Sequence, residues 1–200
     1  MGETPVGRTG FSLSSLSGTT AALLLSLLHG AAAAAQDTEV SVFGGVPVSN
    51  GWEDVFRAPG DLEFRDAGLV GLSYGKEWPL RGRAFSFGLE AQVVKYFGEQ
   101  THVEFNLPAF LRYRPQGPLP LNSLGFGVGL SHATEVPAIE IANKGGSART
   151  LLYWAMEAEF GPKDADTTVF FRLHHRSNGF GLFAERGGFN ALVLGLRRRY

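Results

Sequence analysis

VEFNLPAFLRY, residues Val103–Tyr113, alternates between two kinds of side chain along its length. Side chains of a β-strand point to opposite faces in turn, so every second residue shares a face. One face is apolar and consists of Val103, Phe105, Leu107, Ala109, Leu111 and Tyr113. The other face is mixed and carries Glu104, Asn106, Pro108, Phe110 and Arg112. The pattern predicts a long strand that separates two different environments.

The same alternation recurs through the rest of the chain, and no segment after residue 36 shows a helical period. Turn-rich stretches separate the runs, as expected for antiparallel strands. The runs cover residues 39–46, 68–76, 85–97, 101–114, 124–133, 151–160, 168–177 and 190–200. Eight runs predict an all-β fold in which an eight-stranded antiparallel sheet closes into a barrel.

The alternation alone fits two kinds of barrel. A soluble barrel places the apolar face inside, whereas an outer-membrane barrel turns it toward lipid and pairs charges in its interior. Most runs reach the 9–11 residues that a strand needs to cross a bilayer. Tyr200 also ends the last amphipathic run, which resembles the C-terminal signal of bacterial outer-membrane barrels. The three arginines at 197–199, just before it, are expected near the membrane interface, where their long side chains can reach water. We therefore predict a transmembrane barrel over residues 36–200, with a soluble periplasmic lipid carrier as the rival.

The beginning of the chain is typical of an exported protein. Residues 1–35 contain Arg8, an apolar stretch over 21–28 and three alanines at 33–35, which together predict a cleaved signal peptide. The chain has no Cys, so it forms no disulfide framework. The 18 Lys and Arg residues balance 19 Asp and Glu residues, which argues against a nucleic-acid partner.

Two polar residues interrupt the apolar face of the seventh run. His175 and Ser177 share the parity of Phe171 and Leu173, and they fall at the outer end of the strand if both chain termini are periplasmic. Asn190 has the matching parity at the outer end of the last run. Polar groups that face lipid are costly, so a functional role is the first interpretation.

This combination suits ester hydrolysis. Ser177 would attack an acyl carbonyl and His175 would accept its proton, while donors near Asn178 and Gly179 would hold the oxyanion. The alternative is that the polar residues form an interfacial girdle that binds headgroups. His174 faces the other way and is expected in an interior polar network. Interior ion pairing between the sixth and seventh strands is expected for Glu157, Glu159 and Arg172. No His lies at a spacing typical of metal ligands, so we expect no metal.

The segment 174–179, HHRSNG, followed by 188–192, GFNAL, resembles the lipid A 3-O-deacylases of the PagL type and the wider group of acyloxyacyl-hydrolase-like outer-membrane proteins. The resemblance also extends loosely to 106–110, NLPAF, and to the glycine-rich run at 125–129. It implies an outer-membrane barrel that removes the ester-linked 3-hydroxyacyl chain of lipid A, the lipid anchor of lipopolysaccharide. His and Ser would be base and nucleophile, without a cofactor.

One position departs from the family pattern. The family has an acidic residue on the last strand, and the nearest match here is Asn190, with Glu185 as the alternative. An Asn can orient a His but stabilises an imidazolium less than a carboxylate does. The second hypothesis is therefore a non-catalytic barrel with a structural or lipopolysaccharide-binding role. The sequence leaves open whether two copies form a homodimer.

Overall fold

Eight antiparallel strands close into a barrel in a computed structural model, which describes residues 37–80 and 84–200. Each strand pairs with the next along the chain, and β1 pairs with β8, so the sheet has no free edge. The predicted signal peptide, residues 1–35, lies outside the described residues. The strands are β1 (Asp37–Val48), β2 (Ala67–Pro79), β3 (Phe85–Gly98), β4 (Val103–Tyr113), β5 (Leu121–Ala133), β6 (Thr150–Phe160), β7 (Thr167–Ser177) and β8 (Gly188–Arg199).

All eight predicted strands are confirmed, with ends that shift by a few residues. Besides a 3₁₀ turn (Pro59–Asp61), two short α-helices were not predicted: α1 (Asp54–Arg57) follows β1, and α2 (Ala138–Lys144) follows β5. At 4 and 7 residues, they are too short to show an amphipathic period in the sequence. Among the described residues, no helix has the length and apolar character needed to cross a bilayer.

The orientation of β4 decides between the two kinds of barrel. Leu107 is 63% exposed on the outer surface, whereas Glu104 and Arg112 are buried inside. The apolar face is thus outside and the charged face inside, which excludes the apolar interior that a soluble lipid carrier would need. The fold is an eight-stranded antiparallel transmembrane barrel of the outer-membrane type.

A network of ion pairs shares the interior of the barrel with clusters of buried apolar side chains. The carboxylate of Glu157 lies 3.4 Å from Arg112 Nε, 2.5 Å from Arg172 Nη2 and 2.7 Å from Arg197 Nη1. The pairing predicted between the sixth and seventh strands is confirmed for Glu157 and Arg172, whereas Glu159 pairs with arginines of β8. Pairing is needed because an unpaired buried charge is costly.

One prediction about the last strand is wrong in part. The run Arg197, Arg198 and Arg199 was expected at the membrane interface, yet Arg197 is fully buried and pairs with Glu157 and Glu159. Its parity is that of Val193 and Gly195, which face inward. Arg198 alone of the three is exposed, with its guanidinium 5.4 Å from the ring centroid of Tyr200.

The two ends of the barrel differ in the length of their loops. Long connections over 49–66, 134–149 and 178–187 lie at one end, together with the short turn 99–102, while the described termini and the shorter connections 114–120 and 161–166 lie at the other. Outer-membrane barrels carry their longer loops on the extracellular side. The long-loop end is accordingly the outer end, and both His175 and Ser177 lie there.

Aromatic rings gather on the outer surface near the short-turn end. Trp78 stacks on Phe87 with ring centroids 6.1 Å apart, and Phe85 lies 5.2 Å from Tyr113. Aromatic rings with this placement are typical of the level where lipid meets water. They indicate one boundary of the apolar band.

An arginine on the apolar band should destabilise the barrel. We expect Leu107→Arg to lower the free energy of unfolding in lipid by about 2–4 kcal/mol, because it moves a charge to the middle of the bilayer. Leu119→Arg is the matched control, since Leu119 is equally exposed but lies in the turn after β4. Denaturant titration in vesicles measures both, and equal effects would contradict the assigned membrane band.

Removing the central interior anion should also be costly. We expect Glu157→Gln to lower the free energy of unfolding by about 3–5 kcal/mol, because three buried guanidinium groups lose a shared partner. Glu135→Gln, in an exposed loop, should leave it unchanged. A neutral result for Glu157→Gln in the same titration would show that the network contributes little.

Candidate functional site

The register of β7 and β8 brings the predicted polar residues together on the outer wall. His175 lies directly opposite Asn190, and Ser177 lies opposite Gly188. His175 and Ser177 point outward with Phe171, which is 56% exposed to the lipid region. The three polar side chains therefore share one patch at the outer end of the barrel.

A hydrogen bond orients the imidazole of His175. Its Nδ1 lies 2.6 Å from Asn190 Oδ1, and Asn190 Nδ2 donates to the backbone carbonyl of Asn50 at 2.8 Å. The second bond shows which end of the Asn190 amide is the nitrogen, because the carbonyl oxygen of Asn50 can only accept a hydrogen bond. The amide oxygen of Asn190 must therefore be the atom that faces His175. Nδ1 of a neutral His175 must then carry the proton, and its Nε2 keeps a free lone pair.

Two tryptophans shelter the imidazole. Trp154 is the cross-strand neighbour of His175 on β6, and their ring centroids are 4.3 Å apart. Trp52, from the loop after β1, packs edge-on against Trp154 at 5.8 Å. The aromatic cover limits the motion of His175 and separates one face of the ring from water.

Ser177 ends β7 and is held by the turn that follows. Its Oγ accepts a hydrogen bond from the backbone amide of Gly179 at 3.3 Å. Within 37–80 and 84–200, no hydrogen bond joins Ser177 to His175. Both residues line one open pocket of about 850 Å³, together with Asn178 and Asn190. The hydroxyl and the imidazole thus face the same space without direct contact.

The turn after Ser177 has an unusual backbone. Gly179 has φ 62°, and Phe180 has φ 58°, a left-handed conformation that is rare for a bulky residue. A side chain at Gly179 would start 3.1 Å from a methyl group of Leu152, so glycine also leaves room for β6. Phe180 is fully exposed beside the pocket. The turn therefore places an exposed phenyl ring at the edge of the pocket that contains His175 and Ser177.

The structure separates the two candidates for the third site residue. Asn190 contacts His175 directly, whereas Glu185 is exposed in the loop 178–187. In the part of the chain that the structure describes, Glu185 forms no hydrogen bond. A role for Glu185 beside His175 would require the loop to move.

The inward neighbours of the site form a separate buried cluster. His174 Nε2 lies 2.9 Å from Glu104 Oε1 and 3.3 Å from the hydroxyl of Tyr96, which confirms its predicted place in an interior polar network. Arg176 Nε lies 3.3 Å from Glu140 of α2. Burial raises the pKa of Glu140, and the guanidinium of Arg176 opposes this shift. The cluster joins α2 to the strand that carries His175 and Ser177.

Sequence reasoning missed three residues of the site, namely Asn50, Trp52 and Trp154. Trp154 shares the apolar face of the run 151–160 with Leu152 and Met156, and its pairing with His175 follows once β6 and β7 are set in register. Asn50 and Trp52 lie in a loop, where no periodicity indicates what the side chains contact. Only the closed barrel brings Asn50 to β8 and Trp52 to β6.

Two solved structures are similar to this chain. The outer membrane enzyme PagL superimposes with a TM-score of 0.55 at 15% sequence identity, over 80% of this chain and 98% of PagL. Neisserial surface protein A (NspA) superimposes with a TM-score of 0.52 at 9% identity, over 83% of this chain and 99% of NspA. No protein-family model and no curated protein sequence matches the chain. At these identities the similarity establishes the outer-membrane barrel fold and leaves the activity to be argued from the site.

The Asn190 amide should control the tautomer of His175. In protein labelled with ¹⁵N-histidine, we expect the His175 signals to show a protonated Nδ1 and a free Nε2 at neutral pH. Asn190→Ala should let the two tautomers exchange, because it removes the acceptor of the 2.6 Å bond. Glu185→Ala is the control and should leave the signals unchanged. An unaltered spectrum for Asn190→Ala would contradict the assignment.

Proposed function

We propose that this protein is an outer-membrane esterase that removes the 3-O-linked hydroxyacyl chain of lipid A. The observation that carries the proposal is the hydrogen bond from His175 to Asn190, which leaves Nε2 as a free base beside Ser177 on the lipid-facing wall. A general base and a hydroxyl at this place suit a substrate that resides in the outer leaflet. The His174–Gly179 segment also resembles that of the lipid A deacylases.

The reaction would proceed in two halves. The Ser177 hydroxyl passes its proton to His175 Nε2 while Oγ bonds to the acyl carbonyl carbon, and the tetrahedral intermediate releases the lipid alkoxide, which takes the proton from His175. Water then attacks the acyl-enzyme, with His175 again as base. His175 then gives the proton taken from water to Ser177 Oγ, so the products are the lipid with a free hydroxyl, the free hydroxyacid and regenerated Ser177. The reaction is a hydrolysis in which Ser177 is the nucleophile, so it requires neither an electron donor nor a metal ion.

Substrate binding would bring the two reacting groups together. Ser177 Oγ is engaged by the Gly179 amide at 3.3 Å in the absence of substrate. Rotation of the side chain toward His175 would release that amide, which could then donate to the oxyanion together with the side chain of Asn178. Catalytic hydrogen bonds commonly tighten only in the substrate complex.

The wall below the site suits an acyl chain. An apolar groove of about 640 Å³ contains Leu173 and Leu192, and it shares Phe126 and Met156 with the pocket at His175. Val55 and Phe56 of α1 border the groove. A chain that hangs from the outer leaflet toward the bilayer centre would lie along it, with its ester at the level of Ser177.

The proposed location is the bacterial outer membrane. The apolar outer surface and the similarity to PagL and NspA support it. PagL is itself an outer membrane enzyme, which is compatible with chemistry on this fold.

Removal of the Ser177 hydroxyl should abolish the activity. Lipid A from cells that express the protein should lose one hydroxyacyl chain in its mass spectrum, and Ser177→Ala should slow this loss by at least about a thousandfold because the nucleophile is gone. Thr167→Val is the matched control, since it removes an outward hydroxyl from the opposite end of the same strand. An unchanged lipid A mass with the wild-type protein would refute the proposed reaction.

A non-catalytic barrel that binds lipopolysaccharide is the second candidate. The observation in its favour is that Ser177 bonds to Gly179 rather than to His175, with Asn190 in place of a carboxylate. A serine-reactive phosphonate separates the two candidates. An adduct at Ser177 that depends on His175 supports the esterase, and no adduct in folded protein supports the binding role.

A further inference from the structure

Two basic residues line the same pocket as His175. Lys144 ends α2, and Arg186 lies in the loop between β7 and β8. We propose that Lys144 and Arg186 bind a phosphate group on the sugar headgroup of the lipid and make the enzyme selective for phosphorylated substrates. This inference rests on the proposed esterase function and extends it to substrate selection.

The fold holds Lys144 in place. Ile139 and Glu140, earlier in α2, are both fully buried, and Glu140 also binds the hydroxyl of Ser147 at 2.5 Å. Gly145 ends the helix in the left-handed conformation, with φ 74°, and its amide donates a hydrogen bond to the carbonyl of Ile141 at 2.8 Å. Because α2 is anchored and its end is defined, the backbone of Lys144 is held in place. Only the side chain of Lys144 is free to move.

Arg186 is attached to the same anchor. Its neighbour Gly187 packs so closely that an added Cβ would lie 2.8 Å from Leu151 and 2.9 Å from the Glu140 carboxylate. Gly146, two residues after Lys144, faces the backbone carbonyl of Arg186. The two loops therefore meet at one packed junction, and the two cations reach the pocket from adjoining positions.

The charges near the pocket favour an anion. Within residues 37–80 and 84–200, neither Lys144 nor Arg186 forms a salt bridge with a carboxylate. Glu53 is the one acidic residue among those lining the pocket, so the lining carries net positive charge when His175 is neutral.

A phosphate on the lipid headgroup matches this arrangement. The guanidinium of Arg186 can grip two phosphate oxygens, and the ammonium of Lys144 adds a point charge. Phosphates of outer-leaflet lipids lie at the level of the loops, while the acyl ester lies just below. Contacts at both levels would position one particular ester at Ser177.

Binding to a protein that cannot turn over tests the inference directly. The probe is lipid A in detergent micelles, before and after removal of its phosphates by a phosphatase, added to the Ser177→Ala protein. Two of the three tryptophans, Trp52 and Trp154, lie at the pocket or against its imidazole, so their fluorescence reports occupancy. We expect at least about tenfold tighter binding of the phosphorylated lipid, since charge-assisted hydrogen bonds are among the stronger ones.

Charge-removing variants assign the preference to residues. Lys144→Gln and Arg186→Gln should each reduce the preference about threefold or more, and added salt should weaken it because both groups are exposed. Arg57→Gln is the control, since it removes an exposed charge at the same end of the barrel but outside the pocket lining.

The outcomes separate this inference from the proposed function. Equal binding of both lipids, or a preference that Arg57→Gln reduces as much as the other two variants, would overturn the phosphate site. Competition by millimolar inorganic phosphate without any preference between the lipids would also overturn it, because the site would then hold a free anion. If wild-type protein cleaves both lipids at equal kcat/KM, the result supports the esterase activity and contradicts selectivity for phosphorylated substrates. If it cleaves neither, the esterase fails, and the binding ratio still decides the phosphate site.

Discussion

A chain that crosses a bilayer as strands must satisfy every backbone hydrogen bond within the sheet, and closure of the barrel meets this demand. With only eight strands, the interior is narrow and is filled by side chains. Glu157 and its arginine partners occupy that space as mutually neutralising charges. Since side chains fill the interior, the proposed lipid substrate would have to bind at the outer wall and the loops.

Polar and charged groups on the outer wall of the barrel are costly because they face lipid, and the site limits this cost. Asn190 orients His175 as a neutral group, so no additional charge has to face lipid. Asn50 and Trp52 come from a loop and cover the strand residues from outside. The cost of this solution is weaker support for an imidazolium than a carboxylate would provide. In the proposed esterase, a neutral His–Asn pair suits the membrane surface but supports the charged intermediate state of the imidazole less than a His–carboxylate pair would.

Much of the fold could be predicted because strands have a period of two. The alternation in 101–114 located β4, and parity alone placed His175 apart from its neighbour His174. The error at Arg197 arose because a run of three arginines suggested an interface, although parity places Arg197 inward. The helix α2 was missed because one or two turns of helix leave no periodic signal.

The sequence by itself determined the eight strands, which residues share each face, and that His175, Ser177 and Asn190 have matching parity at strand ends. Those features depend on neighbours in the chain and on the geometry of a single strand. Only the tertiary structure decided which face of the sheet points outward, because burial depends on how all strands close together. It also decided that Trp154 packs on His175 and that Gly187 meets Glu140, since these contacts join residues that are distant in the chain.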